Sequence, residues 1–175
     1  MGGFQFRKNL AGQSDAYVTL SVVGKNSVTF KKGDAIRINA DGFADLADAT
    51  EGIAGIVDGV TTAKDTRTDP DSGTLDEYTM ASDNETVAQL KIKFIPALVN
   101  YLFSNDASGD LAQTNLLQYF DLSDKDQVNQ GSATNTATAQ MRLVELDPDG
   151  DGDASKGLFQ IVESQFAQIA TTVAA

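Results

Sequence analysis

The chain has no cysteine, no histidine and no tryptophan among its 175 residues. Without cysteine there is no thiol nucleophile, no disulfide scaffold and no soft thiolate ligand for a metal; without histidine there is no imidazole base. A Ser-His triad is therefore impossible, and Gly-x-Ser-x-Gly is absent as well. Gly52-Ile53-Ala54-Gly55 has no Gly-Lys-Ser/Thr behind it, so no phosphate-binding loop is present. Carboxylates are plentiful, but no pair stands out for acid/base work, and the inventory points away from an enzyme. Apolar runs are short: none approaches the ~20 residues needed to cross a bilayer. Arg7 and Lys8 near the start are not followed by an apolar stretch, so this segment is not read as a secretory signal, and the chain is expected to be soluble.

Positive charge is also scarce. There are 13 Lys and Arg against 25 Asp and Glu, a net charge of −12. Residues 101–175 alone carry 3 basic and 11 acidic side chains. Phosphate-backbone binding needs clustered cations, so nucleic acid is not an expected partner, and neither is a membrane. A basic protein surface or a hard cation is the natural complement of such a charge.

What the chain does have is an alternating, β-branched pattern cut by turn signals. Tyr17–Val23, Val28–Phe30, Ala35–Asn39, Phe43–Ala47 and Ile53–Val57 read as strands, joined by Gly24–Asn26, Lys32-Gly33-Asp34 and Asp41-Gly42. Tyr78–Met80, Val87–Ala97, Ala139–Leu146 and Leu158–Val162 continue the pattern. Leu98–Phe103 and Asn115–Phe120, the latter with Thr114 as a cap, read as short helical pieces within 98–120. Residues 61–73 and 129–138 read as long polar loops, and the tail 167–175 as frayed. The expected fold is mainly β: a small β-barrel or sandwich with short helices and long polar loops. Residues 1–16 read as an N-terminal arm, 17–97 as a barrel-like region, and 98–175 as a second β-rich region packed on the first.

Two local features could carry function. Phe4 and Phe6 share a face if the arm is extended, followed by Arg7 and Lys8. They either pack on their own domain or reach a neighbouring subunit as a partner-binding arm. The second feature is Asp147-Pro148-Asp149-Gly150-Asp151-Gly152-Asp153. Alternating Asp with Gly after the third Asp matches the opening of an EF-hand-like loop, where carboxylates turn toward one point and hard Ca²⁺ prefers oxygen ligands. Leu158 stands where the bidentate Glu of that loop belongs, and the flanks read as strands. The alternatives are a solvated acidic hairpin and a weak Ca²⁺ site at Asp147, Asp149, Asp151 and Asp153. No other cofactor is expected. Like-charge repulsion in the loop suggests that Asp149→Ala leaves Ca²⁺-free stability unchanged or slightly raised.

The run FKKGDAIRINADGFADLADATEGIAGIVDGV, residues 30–60, resembles a passage of capsid decoration (cement) proteins of tailed bacteriophages: Gly-Asp, an apolar strand, Asp-Gly, a short strand, Ala-Asp and Ile-Ala-Gly-Ile-Val. The passages SGDLAQTNLLQYFDLSDKDQVNQGSA and AQMRLVELDPDGDGDASKGLFQIVESQ are similar to those of virion-associated proteins of phages. The likeness is one of pattern and covers most of residues 17–166. It implies a structural protein, made in the host bacterial cytoplasm, that joins the capsid surface of the virion. There it would sit as a homotrimer on the major capsid protein and stabilise the capsid by bridging shell subunits. The family has no catalytic residues to carry over. Another virion role, in the tail or in head completion, and a calcium-dependent surface-binding β-module are the alternatives.

Overall fold

The structure, a computed structural model, describes residues 3–11, 16–61, 74–137 and 139–166. The strands in chain order are β1 (Gln5–Asn9), β2 (Leu20–Val23), β3 (Thr29–Lys31), β4 (Ala35–Ile38), β5 (Ala44–Leu46), β6 (Gly55–Thr61), β7 (Thr74–Leu75) and β8 (Glu77–Thr79). They continue with β9 (Lys91–Pro96), β10 (Tyr101–Asp106), β11 (Tyr119–Phe120), β12 (Leu122–Asp124), β13 (Gln127–Val128), β14 (Met141–Leu146) and β15 (Lys156–Ile161). The fold is mainly β and sandwich-like. A six-stranded sheet runs β2-β9-β6-β4-β5, with β7 added on β6, and a five-stranded sheet runs β1-β10-β15-β14-β11. Two ribbons, β3–β8 and β12–β13, complete the set. All pairings between these named strands are antiparallel.

Strand alternation divides the apolar side chains between two cores. Along β4, β6 and β9, Ala35, Ile56 and Ile95 enter a core shared with the five-stranded sheet. Their neighbours Ile36, Val57 and Phe94 turn the other way, into a second core with Phe30, Val60, Met80 and Ile92. The middle of the six-stranded sheet is therefore buried on both faces, which is why Phe94-Ile95-Pro96 and Gly55-Ile56-Val57 read as continuous apolar runs. The first core is filled from the other side by Phe103, Phe120, Leu143 and Phe159, with Phe120 and Phe159 edge-to-face at 5.9 Å.

The six-stranded sheet curls round the second core. Its outermost strands approach at a single bridge, Gly24 to Ala44, where the Lys25 N–H donates to the Ala44 carbonyl at 2.9 Å. The sheet thus bends toward a barrel without closing into a continuous one. The chain segment after β15 stitches the layers together. Ile53 bridges Ser164, the Ser164 hydroxyl donates to the Ala97 carbonyl at 2.6 Å, and the Gln165 side chain exchanges two hydrogen bonds with the Ile38 backbone.

One expectation is overturned. The helix read within 98–120 is not present: Tyr101–Asp106 is β10, second strand of the five-stranded sheet. Thr114 lies inside a 3₁₀ turn, Gln113–Asn115, and Tyr119–Phe120 is β11. Leu102 and Phe103 are both buried, on opposite faces of one strand, and a run buried on both faces carries no alternation to identify it. A single π-helical turn at Asn84–Ala88 and a 3₁₀ turn at Gln130–Ser132 are the other helical pieces among the described residues. The polar loop expected at 61–73, apart from Thr61, and the tail 167–175 lie outside the described residues.

Candidate interaction surface

Residues 5–9 form a strand because β10 offers them an edge. β1 pairs antiparallel with β10 from Gln5–Ser104 to Asn9–Tyr101, with a bulge at Arg7. Phe4 is 3% exposed and belongs to the first core. Its N–H donates to the Gly33 carbonyl at 2.8 Å. Phe6 lies 4.8 Å from the Tyr17 ring, 5.2 Å from Tyr101 and 6.0 Å from Phe103. The two phenylalanines thus pack on their own domain. The free-arm expectation is corrected for Gly3–Asn9: this segment is an edge strand and a core anchor of its own chain.

Arg7 and Lys8 follow a different course. The Arg7 guanidinium donates to the Ser104 hydroxyl at 2.9 Å and pairs with Asp149 at 2.9 Å. The Lys8 ammonium pairs with Glu145 at 3.0 Å. Residues that stood in the sequence as two separate features, the N-terminal basic pair and the Asp-rich loop, therefore meet on one face. The sheet order places β10 and β15 between β1 and β14, so the two cations reach across the five-stranded sheet. Gly3, Gln5, Arg7, Ser104, Asp149 and Lys156 line a polar cleft of about 200 Å³ at this junction.

The Asp-rich loop joins β14 to β15 as an acidic hairpin, and its carboxylates are turned to protein donors. Asp147, in the left-handed region at φ 41°, accepts from the N–H groups of Asp151 (3.2 Å) and Gly152 (2.9 Å). Gly150 and Gly152, at φ 67° and 84°, supply the turns that make this possible. Asp153 accepts from the Ser155 N–H and hydroxyl. Lys156 reaches Asp151 at 2.5 Å and Asp149 at 3.9 Å. That ammonium holds the Asp151 carboxyl below its ordinary range, and Asp151 in turn raises Lys156. The Asp153 carboxyl is lowered by its bonds to Ser155. Among the described residues, no three His, Cys, Asp or Glu side chains are placed to hold a metal ion. Lys156 and Arg7 supply the countercharge that a cation would bring.

The repulsion expected around Asp149 is thus already offset, and the expectation for its removal changes. Arg7→Ala and Asp149→Ala should each cost under about 1 kcal/mol, with a coupling of roughly 0.2–1 kcal/mol in a double-mutant cycle, because both partners are partly exposed. The cycle by urea denaturation should lose most of its coupling at high salt. A coupling that survives in molar salt would show that the pair is effectively desolvated.

Sequence reasoning missed an apolar corner. Leu10, Val18 and Val99 are 61%, 54% and 67% exposed, and Tyr17 and Leu20 are 41% exposed. Hydrogen bonds hold Leu10 and Val18 beside the turn between β9 and β10, in which Val99 lies. The Leu10 N–H donates to the Asn100 carbonyl at 2.8 Å, and the Val18 N–H to the Tyr101 hydroxyl at 3.0 Å. The Gln160 side chain donates to the Val99 carbonyl at 2.6 Å. Leu20 opens β2 opposite Phe94 of β9. The signal in the sequence is Val99, which follows Pro96 by three residues and lies in the run that reads as helical. Val87 and Leu117 are also exposed, elsewhere in the fold. No described helix is long and apolar enough to cross a membrane.

Comparison of the chain with protein-family models, with curated proteins and with solved structures gives no match.

Proposed function

We propose that this chain is a structural virion protein that binds the outside of a phage head and stabilises the shell by bridging its subunits, acting as a homotrimer on the major capsid protein. The observation that carries the reading is the apolar corner. Leu10, Val18 and Val99 stand more than half exposed at or beside one turn of a chain whose net charge is −12, and such a concentration marks a protein contact more often than a solvent face. The scaffold beneath it supports the same reading. Two β-layers share a core, so a contact at the β9–β10 turn loads the backbone ladders of both sheets. Many identical weak contacts of this kind become strong on a repeating shell. The resemblance of residues 30–60 to decoration proteins supplies the identity of the shell.

Quantitative mass spectrometry of DNA-filled particles tests the proposal. Copies of this chain approaching those of the most abundant shell protein are the expected result. A few copies per particle would move it to the tail or to head completion, and complete absence from particles would end the virion reading.

A further inference from the structure

Asp34 is fully buried. One oxygen accepts from the Lys31 N–H at 2.8 Å, whereas Oδ1 has no hydrogen-bond partner. The residue sits where four segments meet. Its backbone carbonyl accepts from the Val57 N–H of β6, and the preceding Gly33 donates to the Val57 carbonyl and accepts from the Phe4 N–H. The next residue, Ala35, donates to the Lys125 carbonyl at 2.6 Å, and Gly3 donates to the Asp126 carbonyl at 3.1 Å. Lys125 and Asp126 form the turn of the β12–β13 ribbon. The Lys125 ammonium hangs 3.9 Å from Asp34 Oδ1 and 3.8 Å from Asp126. It is shared between two carboxylates and hydrogen-bonded to neither.

We propose that Asp34 is a proton-operated latch: its protonated carboxyl holds the N-terminal segment, the β3–β4 turn, β6 and the β12–β13 ribbon together, and its ionisation loosens that junction. The charges facing it are few. Lys31 belongs to its own turn, with Glu77 opposite on β8. Lys32 leans toward Asp58 of β6 at 3.8 Å. The ribbon brings Lys125, Asp126 and, just before its turn, Asp124, while Gly3–Gln5 bring none. Burial dominates this balance and lifts the Asp34 carboxyl to about 6, with Asp126 adding to the rise and Lys31 and Lys125 opposing it.

The sign follows from linkage. A carboxyl raised above its unfolded value near 3.8 keeps its proton in the closed form and loses it in the open form between these two values. The closed junction is favoured below pH 3.8, weakens as pH rises toward about 6 and is constant above it.

Amide hydrogen exchange on the full chain, read by NMR as protection factors, tests the latch. Protection of the Phe4 and Ala35 amides should fall by up to roughly tenfold per pH unit between about pH 4 and 6, then level off. The Leu143 amide, in the five-stranded sheet, should not follow. In Asp34→Asn, Phe4 and Ala35 should lose this dependence. In Lys125→Met the levelling-off should move to higher pH, because the ionised carboxyl loses its nearest cation. Flat protection in the wild type, an unchanged slope in Asp34→Asn, or an unmoved plateau in Lys125→Met would each overturn the latch. Should Asp34→Asn fail to fold, the wild-type Asp34 carboxyl carbon decides: a titration midpoint near 4 overturns the proposal, and one near 6 supports it.

Discussion

Gly55→Ala should destabilise the protein by about 3 kcal/mol or more, and the variant should populate unfolded chain without denaturant if the native fold has little margin. Gly55 opens β6 at the centre of the six-stranded sheet, paired with Pro96 on one side and Ile36 on the other. A Cβ there would stand 2.3 Å from the Ile95 carbonyl oxygen and 2.5 Å from a ring carbon of Phe94. The first contact is with backbone, so no rotamer change relieves it. The strands must separate, and both cores are attached to them: Ile95 belongs to one and Phe94 to the other. Gly109→Ala is the control, since its Cβ would meet nothing closer than 3.5 Å, and its cost should be within about 0.5 kcal/mol. Urea denaturation followed by far-UV circular dichroism measures both. A Gly55→Ala cost below about 1 kcal/mol would mean that β6 and β9 yield more readily than their burial implies.

The second large effect comes from a polar side chain. Gln140 is completely buried. Its amide nitrogen donates to the Asp48 and Glu51 carbonyls at 2.5 and 2.6 Å, and its amide oxygen accepts from the Leu122 N–H at 2.9 Å. Its backbone carbonyl accepts from Val162 and Glu163. One residue thus joins the loop after β5, the start of β12 and the end of β15. Gln140→Ala should cost about 2–4 kcal/mol: the buried Leu122 N–H is left unsatisfied, and two carbonyls keep only such water as can enter. Gln140→Glu retains an acceptor for Leu122 but turns negative charge on two carbonyls. It should therefore be destabilised at neutral pH and partly recovered in acid, when the carboxyl regains a donor. Equal stability of Gln140→Ala and wild type in the same denaturation assay would show that water replaces the amide at no cost.

Much of the fold was legible because its signal is local. Residues 35–38 and 91–94 alternate, Asp41-Gly42 turns the chain, and the strands read there stand within a few residues of the observed β4, β5 and β9. Where burial is two-sided the signal fails. Leu98–Phe103 offered apolar residues without a period, and length and propensity did not separate helix from strand. β1 was illegible for another reason: QFRKN is not a convincing strand by itself, and it becomes one only where β10 presents an edge some ninety residues away.

The candidate surface divides in the same way. Arg7, Lys8 and the four Asp of the hairpin were recognisable as charged features, and the sequence established that they are not the parts of a His- or Cys-based catalytic site. That Arg7 meets Asp149, that Phe4 is a core residue and that Leu10, Val18 and Val99 gather at one corner were decided by tertiary structure. The sequence by itself determined a mainly β, acidic chain, because strand period, turn chemistry and net charge are properties of neighbours or of sums. Which strands pair, which charges are neutralised and which apolar groups remain uncovered are properties of residues far apart in the chain. Only the packing of two sheets across a shared core brings those residues together.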